Sequence, residues 1–248
     1  MSSSSLDQAP LGRDTAYPTQ YDPSVLFAVN RETNRAMLPF VPNWVGADIW
    51  NAYEVSWLNA RGKPLVAMAR FVVPYGSANI IESKSFKLYL NSFNESRFQS
   101  IDEVKQRLEN DLSKVAGANI EVVLTDLHRI GQAQCAPLAG INIDEADVEI
   151  EHYQPNANLL KCVVNAQTVN ETLTSDLLKS NCPVTGQPDW GSLQIQYTGP
   201  QINRESLLKY IISLRRHTEF HEHCVEKIYC DIWQACQPEF LFVYACYT

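Results

Sequence analysis

Apolar and polar residues alternate from Asn51 to Pro74, along NAYEVSWLNARGKPLVAMARFVVP, with one break at Arg61-Gly62-Lys63-Pro64. Alternation buries one face of a sheet, and a Gly/Pro break between two such runs predicts a β-hairpin. After Tyr75-Gly76 the period changes. Leu88, Leu90 and Phe93 fall at roughly helical spacing, which predicts a helix over 83–93. A second helix is predicted from Ser100 to Val115, with Ser100 as its cap and Glu103 completing a capping box. The β-branched run from Ile120 to Leu127 predicts a strand. Further on, the pattern predicts short strands in DVEIEHY and LLKCVV around Pro155, then a strand from Leu193 to Tyr197. Helices follow from Asn203 to His217 and Glu219 to Gln234, and a closing strand from Glu239 to Tyr247.

The intervening stretches are less regular. Met1 to about Tyr21 is Ser-rich and aperiodic, which fits a flexible arm. Residues 23–50 carry Pro23, Pro39 and Pro42 among apolar patches and suggest irregular surface structure, and residues 130–145 read as a loop.

The order of elements repeats. Strand, Tyr/Gly loop, helix, helix, strand occurs before residue 130 and again after residue 190. Ser85, Tyr89 and Ser92 align with Ser206, Tyr210 and Ser213 at one offset, and Phe98 aligns with Phe220 at an offset one larger. A duplicated ββαα unit, and so an α+β fold, is the expectation.

Composition narrows the function classes. With 248 residues and 45% hydrophobic content there is material for one large domain or two small ones. A net charge of −8 argues against a broad phosphate-binding surface, so direct nucleic-acid binding is not expected. No run reaches the roughly 18 apolar residues of a membrane span. The N-terminal MSSSSLDQAPLGRD lacks a basic-then-apolar signal pattern, so a cytoplasmic location is expected. The seven cysteines (135, 162, 182, 224, 230, 236 and 246) are odd in number and show no CxxC spacing, which favours free thiols over a disulfide framework or a four-Cys zinc site. His221, His223 and Cys224 cluster as HEHC, but this is not HExxH and no second compact His/Cys pair exists, so no metal is expected.

The stretch from Ser180 to Trp190, SNCPVTGQPDW, carries a thiol at Cys182 and a carboxylate at Asp189 around a Pro/Gly-rich turn. Its Pro and Gly density argues against a helix interior or a central strand and predicts an ordered loop that can fold the two side chains together. A thiolate attacks electrophilic carbon, and a neighbouring carboxyl group can move protons on and off the adduct. On spacing alone, Cys182 also reads as a small buried residue, and Asp189 as a turn aspartate bonded to backbone amides.

SNCPVTGQPDW, continuing into GSLQIQYTGP, resembles the catalytic segment of the NADPH-dependent 7-cyano-7-deazaguanine reductases, the nitrile reductases of tRNA queuosine biosynthesis, in their long two-half form. Two further segments resemble the same family in order and spacing: IESKSFKLYLNSFN (Ile81 to Asn94) and EFHEHCVEKIYCDIW (Glu219 to Trp233). The resemblance implies tandem tunnelling-fold (T-fold) halves, each an antiparallel sheet with two helices on one face. It places a flexible arm at 1–22, an N-terminal half at 23–130 and a C-terminal half at 131–248. It also implies a homodimer, a deazapurine substrate and NADPH.

By resemblance, Cys182 is the nucleophile that adds to the nitrile and Asp189 is the proton donor. Glu82, Ile81, Ser83, His221 and Glu222 contact the base. Ser83, Lys84, Ser85 and Lys87 bind NADPH at a helix start, where N–H groups, hydroxyls and cations suit phosphate. Without the resemblance Glu82 reads as an ordinary helix N-terminal acid and His221 as a surface histidine. No GxGxxG is present, so a Rossmann site is not available. The family continues past its last strand into a basic, Gly-rich segment that also contacts NADPH. This chain stops at Ala245-Cys246-Tyr247-Thr248, with Cys246 where a basic residue is expected. A catalytically impaired, deazapurine-binding member without the full cofactor site is therefore the alternative expectation.

Overall fold

The structure is a computed structural model and describes residues 17–127 and 137–247. Most of the expected arm and the centre of the 130–145 loop, Cys135 included, lie outside the described residues. The chain divides into two compact units, residues 1–35 with 43–134 and residues 36–42 with 135–248.

Unit 1 contains β1 (Ala28–Asn30), α1 (Arg31–Arg35), β2 (Ala47–Asn59), β3 (Pro64–Pro74), β4 (Asn79–Ile81), α2 (Ser83–Asn91), β5 (Arg97–Phe98), α3 (Ile101–Ala116) and β6 (Glu121–Asp126). Its main sheet has the order β5-β2-β3-β6 and is antiparallel except for the short β2–β5 pair. The predicted hairpin is β2–β3. Its alternation sends Val55, Trp57, Ala67, Ala69, Phe71 and Val73 to one buried face, where α2 and α3 cover them. On α3 the covering stripe is Val104, Leu108, Leu112 and Ala116, all fully buried. Ser100 Oγ accepts the Glu103 N–H (3.1 Å), while the Glu103 carboxylate reaches back to the Gln99 N–H (2.7 Å), so the predicted capping box closes one residue early. Residues 23–50 are more ordered than their prolines suggest. They hold β1, α1 and Arg31, which is buried, donates to Ser77 Oγ (2.9 Å) and pairs with Asp48. Tyr21 is anchored as well, with its hydroxyl on Asp111 (2.5 Å) and its ring against Phe93.

Unit 2 contains β7 (Ile141–Asn142), β8 (Thr168–Asn181), β9 (Pro188–Pro200), α4 (Arg204–Ser213), α5 (His221–Cys236) and β10 (Phe240–Tyr247), with sheet order β10-β9-β8-β7. Leu173, Leu178, Leu193, Ile195 and Tyr197 form the buried sheet face, under Leu207, Tyr210, Ile211, Cys224, Ile228 and Ile232 of the helices. Three expectations are corrected. DVEIEHY forms no strand, and LLKCVV contributes only a single bridge between Cys162 and Ile202. The long strand β8 replaces them. Its sequence, TVNETLTSDLLKSN, reads as polar because a bulge between Ser175 and Leu178 shifts its alternation out of phase. The catalytic stretch is a loop only over 182–187. Ser180 and Asn181 end β8, and Pro188 opens β9, a position where its missing N–H is tolerated.

The two units share internal features. Tyr89 and Tyr210 each donate to an aspartate of the second helix, Asp111 and Asp231, at 2.7 Å. β2 and β8 are both bulged. The Phe98–Phe220 match does not hold. Arg97 faces Leu58 where Thr218 faces Asn181, so Phe220 falls later in the repeat, as the residue capping α5. Both second helices end on a left-handed residue, Gly117 (φ 69°) and Gln237 (φ 47°). A side chain is strained there and glycine is not. Gln237→Gly is therefore expected to stabilise the protein by about 1 kcal/mol, read as a raised thermal midpoint with unchanged helix content.

Candidate active site

The β8–β9 hairpin carries the nucleophile candidate. Across its turn the Cys182 N–H donates to the Gln187 carbonyl (2.9 Å), and the Gly186 N–H donates to the Cys182 carbonyl (3.0 Å). The ladder continues with Asn181 opposite Pro188 and Ser180 opposite Asp189. Cys182 follows two residues after Ser180, the residue paired with Asp189, so the turn brings the chain positions of thiol and carboxyl to the same end of the hairpin.

The third member comes from α5. His221, its first residue, places Nε2 3.2 Å from Asp189 Oδ2, and its ring stacks on Tyr247 of β10. The HEHC cluster is thereby split. His221 meets Asp189 and is partly exposed, whereas His223 is buried with Nδ1 3.5 Å from Glu219, and Cys224 is fully buried. Glu222, in the first turn of α5, is half-buried. Burial pushes the Cys224 thiol up to about 11 and the Cys230 and Cys236 thiols up to about 12, which makes them poor nucleophiles at neutral pH. Cys182 is only half-buried.

Unit 1 holds the other sequence-identified residues. Glu82 caps α2 with both carboxylate oxygens, accepting the Lys84 and Ser85 N–H groups at 2.8 Å, and is fully buried. Ser83 and Lys87 are exposed and line a cavity of about 350 Å³ with Trp50, Phe71 and Phe86. Lys84 is half-buried. Two of the expected residues have buried side chains. Ser85 is fully buried, with its hydroxyl donating to the Glu82 carbonyl (2.7 Å) and accepting the Phe27 N–H (3.0 Å). Ser206 makes the matching bonds to Asn203 and Lys161 in unit 2. Ile81 is buried in the core and paired with Ala28 across β4–β1.

Sequence reasoning missed Tyr247 and the cavity walls Trp50 and Phe86. The walls sit at ordinary core positions of β2 and α2. Nothing local marks them, because the cavity is made by packing.

A half-exposed thiol, a carboxylate and an imidazole gathered at one end of an α+β unit are the parts of an enzyme working through sulfur. A family model described as "Nitrile reductase, 7-cyano-7-deazaguanine-reductase N-term" matches residues 17–124, and one described as "QueF-like protein" matches residues 188–248. Proteins named NADPH-dependent 7-cyano-7-deazaguanine reductase are similar over 98% of this chain. Those of Bordetella parapertussis and Bordetella pertussis are 55% and 56% identical over 90% of their own length, and that of Burkholderia vietnamiensis is 53% identical over 89%. This chain belongs to the 7-cyano-7-deazaguanine nitrile reductase family. Asp189, His221 and Glu222 lie within the second matched segment, and Cys182 falls just ahead of it.

Proposed function

We propose that this chain reduces the nitrile of 7-cyano-7-deazaguanine to the aminomethyl group, with NADPH as reductant, in queuosine biosynthesis. The observation that carries this reading is the placement of Cys182, Asp189 and His221 at one end of the β8–β9 hairpin, in a chain of this family. The impaired-binder alternative is not favoured by relatives that bear the reductase name at this identity and coverage.

Cys182 adds to the nitrile carbon and forms a carbon–sulfur bond, while Asp189 delivers a proton to the nitrogen. The product is a covalent thioimide. NADPH, when bound, supplies the two hydrides that take the carbon from thioimide to amine, with sulfur leaving between them. Counting the amine as ammonium, one nitrile consumes two hydrides and three protons. Asp189 must therefore be reprotonated, and His221, 3.2 Å away and partly exposed, is placed to return protons to it. Covalent attachment retains the substrate through the first hydride transfer, until sulfur leaves.

Glu222 and His221 sit at the start of α5, where they recognise the amine and amide edge of the base. Glu82, which holds the Lys84 and Ser85 N–H groups, fixes the start of the helix that carries Ser83. Ser83, Lys84 and Lys87, with the cavity walled by Trp50 and Phe86, fit a nicotinamide cofactor: an apolar aromatic wall beside N–H groups and cations for phosphate. Each unit, a four-stranded, mostly antiparallel sheet with two helices packed on it, supports the tunnelling-fold reading. A homodimer acting on a free deazapurine, without direct nucleic-acid contact, in the cytoplasm, completes it. Among the described residues no helix is long and apolar enough to cross a membrane.

Stoichiometry tests the reading. NADPH oxidation and nitrile loss, measured in one reaction, should run at two to one. A ratio of one to one, or oxidation independent of the nitrile, would reject a four-electron reduction.

A further inference from the structure

His221 is held on two sides. Its Nε2 lies 3.2 Å from Asp189, and the Tyr247 ring lies parallel to the imidazole, with centroids 3.9 Å apart and planes within 2°. A histidine at the first position of a helix otherwise turns through a broad torsional well. Stacked on an aromatic ring, it keeps one plane.

The strand opposite Tyr247 is shaped for this contact. Tyr247 pairs with Gly191 across β10–β9, and a Cβ at Gly191 would stand 3.3 Å from Tyr247 Cδ1, 3.4 Å from Cε1 and 3.3 Å from the Cys246 carbonyl. The ring therefore lies over the glycine backbone, two residues along β9 from Asp189. Its hydroxyl is buried beside Ser180 and Cys224 and makes no hydrogen bond of normal geometry. What this tyrosine contributes to the site is thus its ring. Neither a charge nor a proton is offered, since burial pushes the hydroxyl far above its ordinary titration range.

We infer that Tyr247 is a positioning residue of the reductase: its ring, seated on Gly191, fixes the imidazole of His221 so that Nε2 stays aimed at Asp189 through both reduction steps. This rests on the reading of Asp189 and His221 as the proton-handling pair. A ring free to swing would leave the carboxyl unreplenished between steps, and misplacement on the order of 1 Å is enough to cost about a hundredfold in rate.

The test is a double-mutant cycle in the full chain, using 7-cyano-7-deazaguanine and NADPH. Tyr247→Phe keeps the ring and is expected to retain kcat within about twofold. Tyr247→Val suits the strand but removes the stack, and is expected to lower kcat about ten- to a hundredfold, with a smaller rise in KM because His221 also contacts the base. In a His221→Ala background Tyr247→Val should have no further effect, because a residue that acts through another is non-additive with it. The His221 imidazole proton resonances, shifted by the Tyr247 ring current, should move in Tyr247→Val and stay put in Tyr247→Phe. Should Tyr247→Val fail to fold by circular dichroism, Gly191→Ala displaces the ring by a few tenths of an ångström and should lower kcat while shifting the same resonances. Full kcat in Tyr247→Val (or in Gly191→Ala where that stands in), additive losses in the cycle, or a Tyr247→Phe defect as large as that of valine would each overturn the assignment. The wild-type control separates the two levels. Turnover in wild type with no loss in the variants sinks Tyr247 alone, whereas no turnover in wild type sinks the proton-handling reading with it.

Discussion

Mixing this protein with 7-cyano-7-deazaguanine in the absence of NADPH is expected to produce a thioimide absorbance, and Cys182→Ala is expected to abolish both that signal and turnover. The effect should be the largest of any single substitution here, because the hairpin that carries Asp189 holds no other cysteine. Cys224, the cysteine close to the start of α5, is fully buried with its thiol pushed up to about 11, and Cys230 and Cys236 are pushed up to about 12. Cys246 is exposed but belongs to β10, opposite Ser192, so alternation turns it to the face away from Tyr247 and Asp189. The fold should tolerate the change, since Cys182 is half-buried in a turn closed by main-chain bonds. A thioimide signal that persists in Cys182→Ala would move the nucleophile elsewhere and reject the assignment.

Asp189→Asn should come next in size. Asparagine keeps the shape but cannot pass a proton to the developing nitrogen anion, and lost general acid catalysis costs roughly 10²- to 10⁴-fold. The loss should appear first in the NADPH-free step, as slower thioimide formation on rapid mixing, with the final absorbance approached late. Stability should change little, because Asp189 and the His221 it meets are both partly exposed. Thioimide formation at the wild-type rate, with a defect confined to hydride-dependent steps, would show that Asp189 acts after the adduct and not in making it.

Much of this molecule was legible before its coordinates. The β2–β3 hairpin, the two capped helices of unit 1 and the helix pair of unit 2 follow from period and caps, because each buries one face against a sheet and the burial imprints itself on the sequence. Strand β8 was illegible for the complementary reason: its bulge at Ser175–Leu178 moves the buried residues from odd to even positions, and no fixed period describes it. DVEIEHY misled in the other direction. Its β-branched residues have strand propensity, but among the described residues it pairs with no strand, and propensity without a ladder does not make a strand. At the site, the resemblance singled out Cys182, Asp189, His221, Glu82 and Ser83. It also named Ser85 and Ile81, whose side chains are buried.

By itself, then, the sequence determined the class of fold, the repeated element order and a loop carrying a thiol and a carboxylate, to which the family resemblance assigns attack on a nitrile. Each is written in local signals: alternation, caps and a short motif with a thiol and a carboxylate. Tertiary structure alone decided which of those residues meet. Asp189 and His221 stand 32 positions apart in the chain (221 − 189) yet within 3.2 Å in space. The Tyr247 ring reaches His221 because β10 pairs with β9 in a register that sets it over Gly191. Such contacts depend on register between distant strands, which is chosen by the whole buried face at once and leaves no mark on any single stretch of sequence.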